Sequence, residues 1–245
     1  RNLDVLVGPP SGSKQPAKAG TPPRVDLKSV TLRNATIRHS RSFSNGDQVT
    51  TELANVNLSI KDIRNGGSGS LTLSAALAMD KTTVTPPAKA SLPSLLNADL
   101  SFGLRDDLQL ASVKGLASFS VGRATGEFAE LGGLIAKLDC EMSPAEIKQF
   151  ALQFNKGNAA LGRVRISGPF DTTKTEGKLK LEVSAIDRQV LNLLGAARGI
   201  DFGTTTINGT TDITIAQAGR MISPVGRLDI ARLQTIQRSH TSPTV

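Results

Sequence analysis

At 245 residues and a formal charge of +8, the chain is long enough for one large β domain or two small ones, and its sign suits anionic surfaces. Aromatic residues make up 3%, with no Trp, no Tyr and eight Phe, so a core must be aliphatic and little is available to stack on bases. The basic residues stand singly, as at Arg33, Arg38, Lys61, Arg105 and Arg163, which argues against a nucleic-acid partner, and the single cysteine, Cys140, excludes an internal disulfide.

Residues 1–24 are rich in Pro, Gly, Ser and Lys and read as a flexible linker. From Val25 the apolar residues fall in short alternating sets: Val25 and Leu27, then Val30 and Leu32, then Ala35 and Ile37. The phase changes at Lys28-Ser29 and at Arg33-Asn34, which predicts a long strand bent by bulges. Asn45-Gly46 predicts a hairpin turn into a second strand through Leu53, Val56, Leu58, Ile60 and Ile63. The glycine cluster from Gly66 to Gly69 predicts the next turn, and Leu71, Leu73, Ala75, Leu77 and Met79 alternate cleanly after it. A loop containing Pro86, Pro87 and Pro93 leads to a fourth strand at Leu96, Ala98, Leu100, Phe102 and Leu104, and residues 108–121 form a fifth. Five strands without an intervening helix predict an antiparallel meander over residues 25–122.

Residues 123–238 change character, with strands interleaved with helices in continuation of the same sheet. Phe128, Leu131, Leu134, Ile135 and Leu138 follow helical spacing and predict a helix over residues 127–138, weakened by Gly132 and Gly133. Ser143-Pro144-Ala145-Glu146 has the form of a capping box, and Ile147, Phe150, Ala151 and Phe154 make a stripe, which predicts a helix over 144–155. A third helix is predicted over 188–198, with strands at 161–166, 179–185, 205–215 and 225–233 and a bulge or tight turn at Asn208-Gly209. Residues 239–245 read as a frayed tail. The fold class is thus mainly β, a long twisted antiparallel sheet with about three short helices in the second half.

The chain is poor in catalytic material. With only His39 and His240, a histidine triad or a two-histidine metal site has little to work with, and Cys140 has no neighbouring His. Neither a dinucleotide fingerprint nor a phosphate loop is present. Carboxylates such as Asp106, Asp107, Glu127, Glu130 and Glu146 are candidates for an acid/base pair, yet Asp106-Asp107 lies at a strand-to-turn boundary where a solvated Asp is ordinary, and the non-catalytic reading is favoured. No catalytic residue, metal or cofactor is expected. No stretch reaches the roughly 18 apolar residues of a membrane helix. What remains is an aliphatic strand face, which the helices of the second half or an apolar ligand would have to cover. The residues expected to form that surface are Leu27, Val30, Leu32, Leu58, Ile60, Leu71, Leu73, Leu77, Leu100 and Phe102.

Two stretches carry a family resemblance. The run from Val25 to Ile37, a polar turn, the run from Leu53 to Ile60, a glycine-rich turn and the run from Leu71 to Leu77 together resemble the strand–turn–strand pattern of AsmA-like bacterial envelope proteins. The stretch from Ser143 to Arg227 (SPAEIKQFA, GRVRISGPFD, EGKLKLEV) is similar, less specifically, to the C-terminal portion of such proteins. The resemblance implies a non-enzymatic module in the periplasm of a diderm bacterium, held at the inner membrane by an anchor outside these residues. It also implies a role in outer-membrane biogenesis, with phospholipid or another apolar ligand carried along an apolar groove. A scaffold that binds another protein through its sheet is the alternative.

Overall fold

A computed structural model describes residues 24–195 and 200–237. Eleven strands form one antiparallel sheet in which every strand lies beside its neighbours in sequence. The first five are long: β1 (Asp26–Ser42), β2 (Gln48–Arg64), β3 (Ser68–Val84), β4 (Pro87–Leu104) and β5 (Leu110–Val121). Six more follow: β6 (Leu134–Met142), β7 (Glu146–Lys156), β8 (Ala159–Asp171), β9 (Glu176–Ile186), β11 (Thr206–Ala216) and β12 (Met221–Ala231). Between β9 and β11 lie the helix α1 (Arg188–Gly195) and the short β10 (Ile200–Asp201), which pairs with β13 (Ile236–Gln237) in a separate two-stranded sheet. A 3-10 turn, Gly126–Leu131, joins β5 to β6.

The mainly β meander expected from the alternation is present, and its turns fall where Asn45-Gly46 and Gly66-Gly67 place them. Residues 1–23, 196–199 and 238–245 lie outside the described residues, and with them the predicted linker, the end of the third helix and the tail. Two predicted helices are corrected. Residues 144–155 form β7: Ser143 closes a hairpin turn, donating from its backbone N–H to the Glu146 carbonyl at 2.9 Å, instead of capping a helix. The segment's Phe150, Leu152 and Phe154 also alternate, and a strand there pairs with β6 and β8 at once, whereas a lone helix of that length is marginal. Residues 127–138 split at Gly132-Gly133 into the 3-10 turn and the start of β6, where Leu134, Ala136 and Leu138 alternate. The third helix starts where predicted, with the Asp187 carboxylate accepting from the N–H groups of Gln189 (2.9 Å) and Val190 (3.2 Å).

The proline loop also shrinks. Only a tight turn at Thr85-Pro86 separates β3 from β4, and Pro93 lies inside β4. It is tolerated because its nitrogen faces the side on which β5 has already ended, where the Pro93 carbonyl accepts from Gly122 N–H at 2.7 Å.

Bulges keep the apolar sets on one face. The register of β1 against β2 shifts between Leu32 and Ala35 and again before Ile37, with Asn34 at φ +52°, while β2 shifts against β3 between Ala54 and Asn57, with Asn55 at φ +51°. Each extra residue resets the alternation. At Lys28-Ser29 the register runs on unshifted, and the irregularity sits opposite, at Asp62 with φ +57°.

The core lies at one end of the sheet. The 3-10 turn and α1 fold over the apolar face there, burying Phe128, Leu131, Val190 and Leu191 against Leu92, Val121, Leu134 and Phe154. Leu134 is 0% exposed and Val190 1%, and burial of a side chain of this size contributes about 1.5–3 kcal/mol. Asn192 locks the cover: its amide donates to Glu130 (2.9 Å) and Asp201 (3.1 Å), and its carbonyl accepts from Phe202 N–H (2.7 Å). Lys81 adds an ion pair to Glu127 at 3.0 Å.

Candidate functional site

The registers let each face of the sheet be read strand by strand, because residues directly opposite one another share a face. One row starts at Leu32 in β1 and passes through Leu58, Leu73, Ala98 and Ala117 to β5. The same row continues through Leu138, Leu152, Val164 and Val183, and ends at Gly209 in β11 and Leu228 in β12. It crosses all eleven strands without a polar side chain. The neighbouring row on the other face begins Thr31, Ser59, Thr72, Asp99 and continues to Arg165, Glu182, Thr210 and Arg227, with only Leu116 and Ala151 apolar. The sheet is two-sided, aliphatic on one face and charged on the other.

All ten residues expected to form the apolar surface fall on this aliphatic face. Val30, Ile60, Leu71 and Leu100 stand opposite one another in one row, and Leu32, Leu58 and Leu73 in the next. Leu27 faces Ile63, Leu77 pairs with Leu53, and Phe102 stands over Gly69. Four of the ten, Ile60, Leu71, Leu100 and Phe102, also line a hollow of about 420 Å³ with Ile63, Leu104, Leu108, Leu110 and Val113. Ile60 and Ile63 meet there because positive φ at the intervening Asp62 reverses the alternation between them.

No described helix covers the face at this end. Most of the ten are half-buried by their neighbours in the sheet, and Leu27, Val30 and Leu32 on the edge strand are 48%, 43% and 46% exposed. The sequence reading missed the continuation of the face through Leu138, Leu152 and Val164, because the helical spacing read into residues 127–138 and 144–155 hid β6 and β7. The alternation of Phe150, Leu152 and Phe154 was the available signal.

The sheet is bent as well as long. Arg105, in the turn after β4, donates to the Thr173 hydroxyl in the turn after β8 at 3.0 Å. Four strand spacings, about 19 Å in a flat sheet, would separate those turns. Glycine permits the crowding that follows: a Cβ on Gly115 (φ +152°) would lie 2.2 Å from the Asp99 carbonyl oxygen of the adjacent strand.

The titratable groups take structural positions. Glu141 is held below the usual carboxylate range by hydrogen bonds from Lys148 and Lys114, and Asp171 by backbone N–H groups of Lys174 and Thr173. Cys140 is buried, and desolvation, with Asp139 adding, pushes its thiol up, while its Sγ reaches the Gly115 carbonyl at 3.6 Å. Asp107 accepts from Gln109 N–H (3.0 Å) inside its turn, Glu127 pairs with Lys81, and Glu130 holds Asn192. Among the described residues no group of three or more His, Cys, Asp and Glu side chains is placed to hold a metal ion, and no helix is long and apolar enough to cross a membrane.

What the arrangement offers chemically is an extended aliphatic surface, sealed at one end and, among the described residues, uncovered at the other. Compared with known proteins, the chain matches no family model, no curated protein and no solved structure.

Proposed function

We propose that this chain is a non-catalytic lipid-handling module, an AsmA-like element that holds or passes phospholipid acyl chains along its aliphatic face. The observation that carries the reading is the row from Leu32 to Leu228, an unbroken apolar track across eleven strands that no described helix covers in its middle. A soluble protein gains nothing from leaving such a surface in water, and large uncovered apolar patches mark sites of interaction. An open face half-buries what lies on it. At about half of the ~0.8 kcal/mol per methylene for full burial, a run of about twelve methylenes gains roughly 5 kcal/mol, enough for retention and little enough for exchange. On the resemblance in sequence, the module would work in the periplasm of a diderm bacterium, tethered to the inner membrane from outside these residues and serving outer-membrane biogenesis.

The test is native mass spectrometry and lipid extraction of the purified chain, followed by uptake of a fluorescent phospholipid from vesicles. Co-purifying phospholipid, or uptake reduced about tenfold or more by Leu73→Asp with the fold retained, is the expected result. A chain that carries no lipid and takes none up would overturn the reading.

A further inference from the structure

Among the described residues no strand lies beyond β1 or β12, and the two edges are not alike. The phase of the backbone ladder follows from a few bonds: Leu104 N–H donates to the Gly67 carbonyl at 2.8 Å, Gly122 N–H to Pro93 at 2.7 Å and Gly133 N–H to Val121 at 3.1 Å. Carried across the registers, this phase points the N–H groups of Val30 and Leu32 into β2 and those of Ser29, Thr31 and Arg33 out from the free side of β1. On β12 the outward positions are Ile222, Pro224, Gly226 and Leu228, so the middle of that edge presents a proline ring where a donor would be. A proline at an outward position blocks edge pairing. The free side of β1 has no proline along its 17 residues.

We propose that β1 is an acceptor edge for an extended strand of a partner protein in which aliphatic and acidic residues alternate. The chemistry of the occupant follows from β1. On the apolar face Leu27, Val30, Leu32 and Ile37 are 43–65% exposed, and an aliphatic side chain opposite each would extend the apolar track by one strand. The charges of β1 are Lys28, Arg33, Arg38 and Arg41 against the single Asp26; Lys28 lies 3.6 Å from Asp26 and Arg38 is paired to Glu52, so the excess positive charge that an incoming strand meets is that of Arg33 and Arg41. A strand with aliphatic residues opposite Val30 and Leu32 sets its alternate residues opposite Ser29, Thr31 and Arg33, where a carboxylate beside Arg33 is favourable. The same excess disfavours a second copy of β1, which would set four basic residues against four, and Pro224 disfavours a second copy of β12. The proposal stands independently of the lipid reading, since edge pairing uses the backbone and the outer charges.

The experiment is hydrogen exchange on the full 245-residue chain, with and without a synthetic peptide of about eight residues alternating leucine or valine with glutamate. Exchange at Ser29, Thr31 and Arg33 should be fast in the free chain and slow about a hundredfold or more with the peptide, while Ile222 and Leu228 do not change. The counterpart with lysine for glutamate should give no such protection. Thr31→Pro should abolish the effect while leaving the inward amides of Val30 and Leu32 protected. Arg33→Glu, which does not disturb the ladder, should shift the preference toward the lysine peptide and serves if the proline variant loosens the strand. Amides already slow in the free chain, protection at β12, equal protection by both peptides, or a concentration-dependent dimer through β1 would each overturn the proposal.

Discussion

The two ends of the apolar face are made of the same kinds of side chain and have different fates. At one end Leu92, Val121 and Leu134 lie under the 3-10 turn and α1, and Leu134 is fully buried. Toward the other, Ile60, Leu71, Leu100 and Phe102 line a hollow with nothing described above them. Residue chemistry alone does not separate a core from a binding surface; the two inserted segments, residues 126–131 and 188–195, do so by covering one end only. One end is a closed core, and at the other no described segment lies over the aliphatic side chains.

The sharpest way to break this comparison is a pair of truncations. Leu134→Ala should cost about 2–5 kcal/mol, because the cavity it leaves is enclosed, whereas Leu71→Ala, on a face open to water, should cost about 1 kcal/mol or less. Denaturant midpoints with unchanged slopes would measure both, and equal losses would mean that the two ends are equally covered. Asn192→Ala tests the lock on the cover. It removes the bonds to Glu130, Asp201 and Phe202 and should destabilise by about 1–3 kcal/mol, with faster exchange at α1 before any change in β1–β5. The smallest effect belongs to the charged face. Glu141 is depressed by Lys148 and Lys114, so its contribution is present above the ordinary carboxylate pKa and is lost as pH falls through the lower folded value. A small drop in the denaturation midpoint should appear below about pH 4, and Glu141→Gln, which lacks the charge at every pH, should show a similarly small loss already at pH 7 and no longer show that part of the acid drop.

The first half of the molecule was legible because its strands alternate with period two and its turns carry Asn-Gly and Gly-Gly. Even the bulge at Asn34 is readable, as a phase slip between Leu32 and Ala35. The second half misleads at residues 143–155, where SPAE satisfies every local rule for a helix start while the flanking strands offer the segment two hydrogen-bonded ladders. Local signals describe a segment alone, and a central strand is decided by its neighbours. The membership of the candidate surface was readable for the same reason as the first half, since alternation names the residues of a face. What covers that face was not readable, because it depends on where the short insertions after β5 and β9 fold back.

The meander order of the strands has a mechanical consequence. With β1 on one edge and β12 on the other, and each strand bonded only to the next in sequence, tension between the chain's two ends pulls across the sheet and not along its strands. Such a load opens backbone bonds one after another, as in unzipping, and each step resists separately in the manner of a linear array. The sheet should therefore peel from its outer strands inward in a series of small force steps until the clamp formed by α1 and the 3-10 turn is reached, where a single larger step is expected. A chain stretched between two attachments would lengthen gradually at low force while its capped end held.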